Sequence, residues 1–330
     1  MPHPTDRLPE SSRRPTLGLD AADLLRGVSP VLETPFTETG DIDVDGFRRV
    51  VNHVLSTGVS SLMYPGFASE YYKLDSGERE ELVGILIEEV RARPAVAAII
   101  AVQDHATRLA EISAAAAAAA GADAINLLPP HLLSPPAQAV EQHLRCVLAA
   151  VPDTPVVVQY APTETGTSLS PQRLARIAVD HPNLALVKVE SSPPGPFIEA
   201  LLACDPPLPA FEGYAGVQLL DAFRRGAVGT QPGCSFTEIY VEIWRRLSGG
   251  DEAGGAALHA RLLPYISYWM LDTETINAAE KLISFRRGLI ESPLCRAPAH
   301  RLDRQEVAMV DRFLEEFADL LVGPGDRLLA

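Results

Sequence analysis

Asn183-Leu-Ala-Leu-Val-Lys-Val-Glu190 decides how the chain is read. It is a short, almost continuously apolar run between polar ends. That is the signature of a strand buried on both faces, as in a parallel sheet covered by helices. It also holds a lysine, Lys188, in a chain with only three lysines (Lys73, Lys188, Lys281) among its 28 basic residues. Burial disfavours the charged form of an amine and makes it nucleophilic near neutral pH, which is what imine formation with a carbonyl requires. A lysine that snorkels at a strand end, or pairs with Glu190, would look the same in this window.

Outward from this strand the pattern repeats about eight times. Apolar runs are expected as strands at Val28–Glu33, Val59–Tyr64, Ala95–Val102, Ala124–Leu128, Pro155–Tyr160, Ala210–Glu212 and Ala227–Gly229. Between them lie helical patterns. In 44–56, Phe47, Val50, Val51 and Val54 recur at helical spacing. Asp75-Ser-Gly-Glu78 opens a helix with an acidic first turn. The run Ser113–Ala120 reads as a packed helix stopped by Gly121, and Ser170-Pro171 as an N-cap and first residue. Strict alternation of this kind predicts an α/β fold, a (β/α)8 TIM barrel, over 21–235. Residues 236–330 read as purely helical, a C-terminal appendage packed on the barrel, and 1–20 as a disordered tail rich in proline and charge.

Composition narrows the partners. A net charge of −15 argues against nucleic acid and anionic membranes. No apolar run has the length of a membrane span, and the N-terminal residues lack the apolar core of a secretory leader. Cys146, Cys204, Cys234 and Cys295 are widely spaced and read as free thiols, which suits a cytoplasmic location. Scattered histidines give no metal-ligand spacing, and no glycine fingerprint for a dinucleotide is present, so no metal and no cofactor is expected.

In a barrel of this kind the reacting groups project from the C-terminal ends of strands. This gathers Gly66–Glu70, Gln103–His105, 130–133, Tyr160, Lys188 and Gly213–Gly216 around one mouth. Tyr160 and Lys188 end neighbouring strands, about 4.8 Å apart in a sheet, so a phenol and an amine are expected to converge.

These residues bring a family into view. Thr34-Pro35-Phe36, the loop ending at Glu70, Tyr160-x-Pro162 with Thr165-Gly166, and Val187-Lys188-x-Glu190 follow the order of motifs in the dihydrodipicolinate synthase / N-acetylneuraminate lyase family. The chain resembles that family from about Gly27 to the Arg296-x-Pro298 segment. The resemblance implies a homotetrameric (dimer of dimers) Schiff-base lyase. Its lysine, here Lys188, forms an imine with a 2-keto acid such as pyruvate or a 2-keto-3-deoxy sugar acid. It further implies that Tyr160 shuttles protons and that N–H groups of Ala68 and Ser69 hold the keto-acid carboxylate. Phe67, His131, Gly213 and Tyr214 are further candidates for substrate contact.

The departures matter equally. Where the family's loop reads Gly-Thr-Thr-Gly-Glu, this chain has Gly66-Phe-Ala-Ser-Glu70, and a relay tyrosine pair becomes Pro130-His131. Where the family has Asn-x-Pro after the tyrosine, this chain has Ala161-Pro162, one residue shorter, and an arginine for a second carboxylate is replaced by Glu164. These changes argue against dihydrodipicolinate synthase activity itself. The rival reading is a non-catalytic keto-acid-binding or regulatory paralogue that kept the lysine.

Overall fold

The computed structural model describes residues 23–321; the tail expected over 1–20 lies outside them. Eight parallel strands form one sheet in the order β1-β8-β7-β6-β5-β4-β3-β2. They are β1 Gly27–Val28, β2 Ser61–Tyr64, β3 Ala97–Val102, β4 Ala124–Leu127, β5 Val156–Tyr160, β6 Leu184–Val189, β7 Ala210–Glu212 and β8 Gly229–Thr230. Val31 closes the ring, bridging Met63 on one side and Gly233 on the other. The result is a (β/α)8 barrel. β1 is shorter than its apolar run, because Pro30 interrupts the ladder and the chain continues as single bridges.

Side-chain parity divides the core in two. Val31, Met63, Ile99, Val157, Leu186 and Phe211 fill the barrel interior. Val158, Val187 and Val189 point the other way, into the layer under the helices. Each fully buried aliphatic side chain contributes roughly 1.5–3 kcal/mol. The sequence therefore needs apolar residues on both faces of each strand, which is why the runs do not alternate.

Helices on the barrel flank are α1 Val44–Ser56, α2 Ser76–Arg91, α3 Thr107–Ala120, α4 Ala137–Ala150, the single turn α5 Pro162–Thr165, α6 Pro171–Asp180, α7 Gly195–Leu202 and α8 Leu219–Arg224. Their ends follow the sequence signals. The Asp75 side chain accepts from Glu78 N and Glu78 reaches back to Asp75 N, a reciprocal cap. Ser170 caps α6, and Gly121 ends the alanine helix at φ 108°. In α3 the buried positions are Ala110, Ala114 and Ala117, so the small residues mark its packed side.

The appendage is α9 Thr237–Ser248, α10 Glu252–Trp269, α11 Thr273–Arg286 and α12 Arg304–Glu316. Phe236, Trp269, Phe313 and Phe317 pack as tilted and edge-on aromatic pairs in its core. α11 runs back over the barrel mouth, where the Asn277 amide donates to the Phe67 carbonyl at 3.1 Å. Beneath that contact two of the three lysines converge on one carboxylate. Glu70 accepts from Lys73 Nζ at 3.0 Å and from the backbone N of Arg296 at 3.1 Å, and it pairs with buried Lys281. No helix among the described residues is long and apolar enough to cross a membrane, and the four cysteines form no disulfide.

Candidate active site

Lys188 and Leu186 share a face of β6, so Lys188 projects into the upper barrel. It is only 4% exposed. Its Nζ lies 3.1 Å from Oε1 of Glu190, two residues on and on the same face. The second carboxylate oxygen of Glu190 accepts from the Gln159 amide at 2.6 Å, and Gln159 Oε1 accepts from Asn126 at 2.9 Å. A buried polar chain therefore crosses from β4 through β5 to β6 and fixes the carboxylate beside the amine. Gly213 makes room for it: a Cβ there would stand 2.3 Å from Glu190 Cγ.

Lys188 and Glu190 open into a cavity of about 60 Å³, walled also by Phe67, Ala68, Glu164 and Tyr214. Tyr214 donates to Glu164 at 2.6 Å. Burial raises the Glu164 carboxyl above its ordinary value, partly offset by the Tyr214 bond. Burial, and then the Glu164 bond, raise the Tyr214 phenol. Tyr214 and Ala215 both adopt left-handed backbone, at φ 47° and 52°. Such residues cost of order 1 kcal/mol each and persist where surrounding contacts hold them. Here Tyr240 Oη donates to Ala215 O at 2.6 Å and His259 Nε2 bonds Gly216 O at 2.8 Å. Below, Glu212 is fully buried, accepts from Thr230 at 2.9 Å, and has its carboxyl pushed up to about 8 by desolvation.

Phe67, Ala68, Lys188 and Tyr214 are thus brought together around this cavity. Four expected contacts are not. Tyr160 pairs in register with Val189, not Lys188, and shares the outward parity of Val158. Its ring stacks on Phe197 of α7, centroids 4.1 Å apart, so phenol and amine do not converge. Gln159 is the residue opposite Lys188. The apparent one-residue shortening after Tyr160 was the signal: Gln159-Tyr-Ala-Pro162 fits a Tyr-Asn-x-Pro segment with no deletion, and glutamine then occupies the tyrosine position. Ser69 is wholly buried and spends its N–H and hydroxyl on Gly66 of its own turn and on Leu32. Its N donates to Gly66 O, its hydroxyl accepts from Gly66 N at 2.8 Å and donates to Leu32 O. His131 stands 6.2 Å from the His105 ring outside the cavity, with burial lowering its pKa. Gly213 lies under Glu190 and is not part of the cavity wall. Tyr71 is buried within the protomer between Phe67 and Tyr72.

One wall was not anticipated. Thr273, Ile276, Asn277 and Glu280 line the cavity from α11. Their spacing of three, one and three residues puts them on one helix face. Buried polar groups on the inner face of an appendage helix were the available sign. Among the described residues, no group of three His, Cys, Asp or Glu side chains is placed to hold a metal ion.

The model of the dihydrodipicolinate synthetase family matches residues 24–317. The chain belongs to that family. The 4-hydroxy-tetrahydrodipicolinate synthase of Synechococcus sp. (strain CC9605) is 29% identical over 272 residues, 81% of this chain and 89% of the relative. The solved dihydrodipicolinate synthase of Rhodopseudomonas palustris superposes with a TM-score of 0.82 at 24% identity, covering 91% of this chain and 99% of its own. YagE, a prophage protein of the same family from E. coli K12 solved with pyruvate, gives 0.81 at 23%, covering 90% and 100%. As a member of the dihydrodipicolinate synthetase family the chain is a lyase of the Schiff-base, class I aldolase type.

Proposed function

We propose that the protein cleaves or dehydrates a 2-keto acid through an imine on Lys188. The observation that carries this reading is the buried Lys188–Glu190 pair at the edge of the cavity. Lys188 attacks the C2 carbonyl and Glu190, 3.1 Å away, takes the proton that the amine sheds and passes it to the C2 alkoxide, giving the neutral carbinolamine. The Glu164 carboxyl, kept protonated more readily by its burial, returns a proton through Tyr214 to the carbinolamine oxygen, which leaves as water. In a cleavage Glu190 takes the C4 hydroxyl proton and the iminium accepts the electron pair of the breaking C3–C4 bond, leaving an aldehyde and an enamine; in a dehydration Glu190 takes a C3 proton and returns it to the departing C4 hydroxyl, which leaves as water. Protonation of the enamine and hydrolysis free Lys188. Carboxylates thus take the proton-handling role that sequence reading gave to Tyr160.

The proposed substrate is not an aspartate-semialdehyde-like partner with its own carboxylate. Lys188 is the one cation among the cavity's lining residues and is already paired with Glu190, so no cationic partner is left for a second anionic group. A homotetramer in the cytoplasm belongs to the same proposal, the assembly being readable by analytical ultracentrifugation.

The non-catalytic reading keeps one observation in its favour, the absence of Tyr160 from the cavity. Exchange of the pyruvate methyl protons in deuterated water separates the two. Prompt exchange, abolished in Lys188→Ala, supports the enzyme; imine without exchange makes the protein a binder.

A further inference from the structure

Three buried acceptor atoms with no protein partner surround the same cavity: Asn277 Oδ1, Glu280 Oε1 and Gln231 Oε1. Their side chains are 2%, 4% and 2% exposed. Buried polar atoms almost always find partners, so three orphans around one space mark a place where a ligand supplies them. Their sign is informative. The Asn277 amide nitrogen faces the Phe67 carbonyl, which can only accept, so the orphan end of that amide is fixed as oxygen. Glu280 uses Oε2 on the backbone N of Ser235 at 3.3 Å, with the Ser235 hydroxyl and Cys234 N also favouring its charged form, and Oε1 is left without a well-formed bond. Gly233 lets the carboxylate lie flat against the loop after β8, since a Cβ there would sit 1.9 Å from Oε1.

We propose that Asn277 and Glu280, on the appendage helix, select the substrate by accepting hydrogen bonds from hydroxyl groups on the distal part of the 2-keto acid. The inference rests on the Schiff-base reading of Lys188. It assigns the far wall to a helix outside the barrel, so α11 couples specificity to the docking of the appendage. Burial pushes the Glu280 carboxyl up to about 7, so near neutrality it can also donate once a hydroxyl oxygen faces it.

The test is borohydride trapping, followed by mass spectrometry, with three probes: pyruvate, a 2-keto-3-deoxyhexonate and 2-oxoglutarate. The concentration giving half-maximal adduct is compared between the unaltered protein, Glu280→Gln and Asn277→Ser. Glu280→Gln is nearly isosteric; its amide oxygen can keep the Ser235 contact while an N–H replaces the orphan acceptor. The unaltered protein is expected to prefer the hydroxylated acid over both others, and each substitution to reduce that preference about tenfold relative to pyruvate. No adduct with any acid removes the Schiff-base reading and this inference together. Adducts without the preference, or a preference that survives both substitutions, overturn this inference alone.

Discussion

Lys188 Nζ and Glu190 Oε1, two residues apart on one strand face, stand 3.1 Å from each other in a site from which water is largely excluded. A two-residue step along an extended chain returns to the same face, so the strand itself sets this pairing. Gln159 then fixes the far oxygen of the carboxylate at 2.6 Å. The proposed base and nucleophile are delivered by local geometry, without a partner from a distant loop.

Glu190→Gln keeps the shape of this arrangement and removes its basicity. The rate of imine formation with pyruvate should fall about 10²-fold, in the range expected for loss of a positioned general base. Rapid-quench trapping reads it. An undiminished rate removes Glu190 from the proton path.

Tyr160 and Tyr214 make opposite predictions. Tyr160→Phe removes a hydroxyl that stacks outside the cavity and should leave turnover within about threefold, with Tyr214→Phe lowering it about tenfold or more. Methyl-proton exchange in deuterated water measures both. A large loss in Tyr160→Phe with none in Tyr214→Phe restores the assignment made from sequence.

Stability should fall as pH rises from about 5 to 8. Burial pushes the Glu33 carboxyl up to about 8, with the Glu280 charge adding to the rise, and pushes Glu212 up to about 8. A carboxyl with a raised folded pKa binds more protons folded than unfolded. Its contribution is whole below the unfolded value near 4.5 and is lost as pH climbs toward 8. Glu33→Gln removes one such group and should raise stability at pH 8 by about 1–3 kcal/mol, with a smaller gain at pH 5. Thermal melts at the two pH values test it; an equal effect at both contradicts the linkage.

Lys281→Met strips a buried cation from Glu70 and from the Phe36 ring, 4.0 Å below it. Lys73 still contacts Glu70, so the cost should come near the lower end of the 3–5 kcal/mol typical of breaking a buried pair. Urea unfolding gives the value, and a change under about 0.5 kcal/mol shows that Lys73 compensates fully.

The barrel was legible because its signals are local. Continuous apolar strands, the Asp75 cap, Gly121 and Ser170-Pro171 each act within a few residues; α1 begins and ends where the sequence pattern does, and α6 starts at Pro171 as expected. The burial of Lys188 was legible because it sits inside an apolar run that had to be a covered strand. Tyr160 was misplaced because a one-residue slip in a strand reverses the face, and motif spacing outweighed parity. Ser69 was misjudged because its hydroxyl is consumed by a tight turn whose closure depends on Leu32, 37 residues away. The α11 wall was invisible because its place at the mouth is set by tertiary docking, through Asn277 on Phe67 and Lys281 on Glu70. No periodicity encodes that.

The most direct measurement is the site of covalent capture. The protein is incubated with pyruvate, reduced with borohydride, digested and mapped by mass spectrometry. The account predicts a reduced pyruvate adduct on the Lys188 peptide and none in Lys188→Ala. An adduct on Lys73 or Lys281 instead, or no adduct at all, contradicts it.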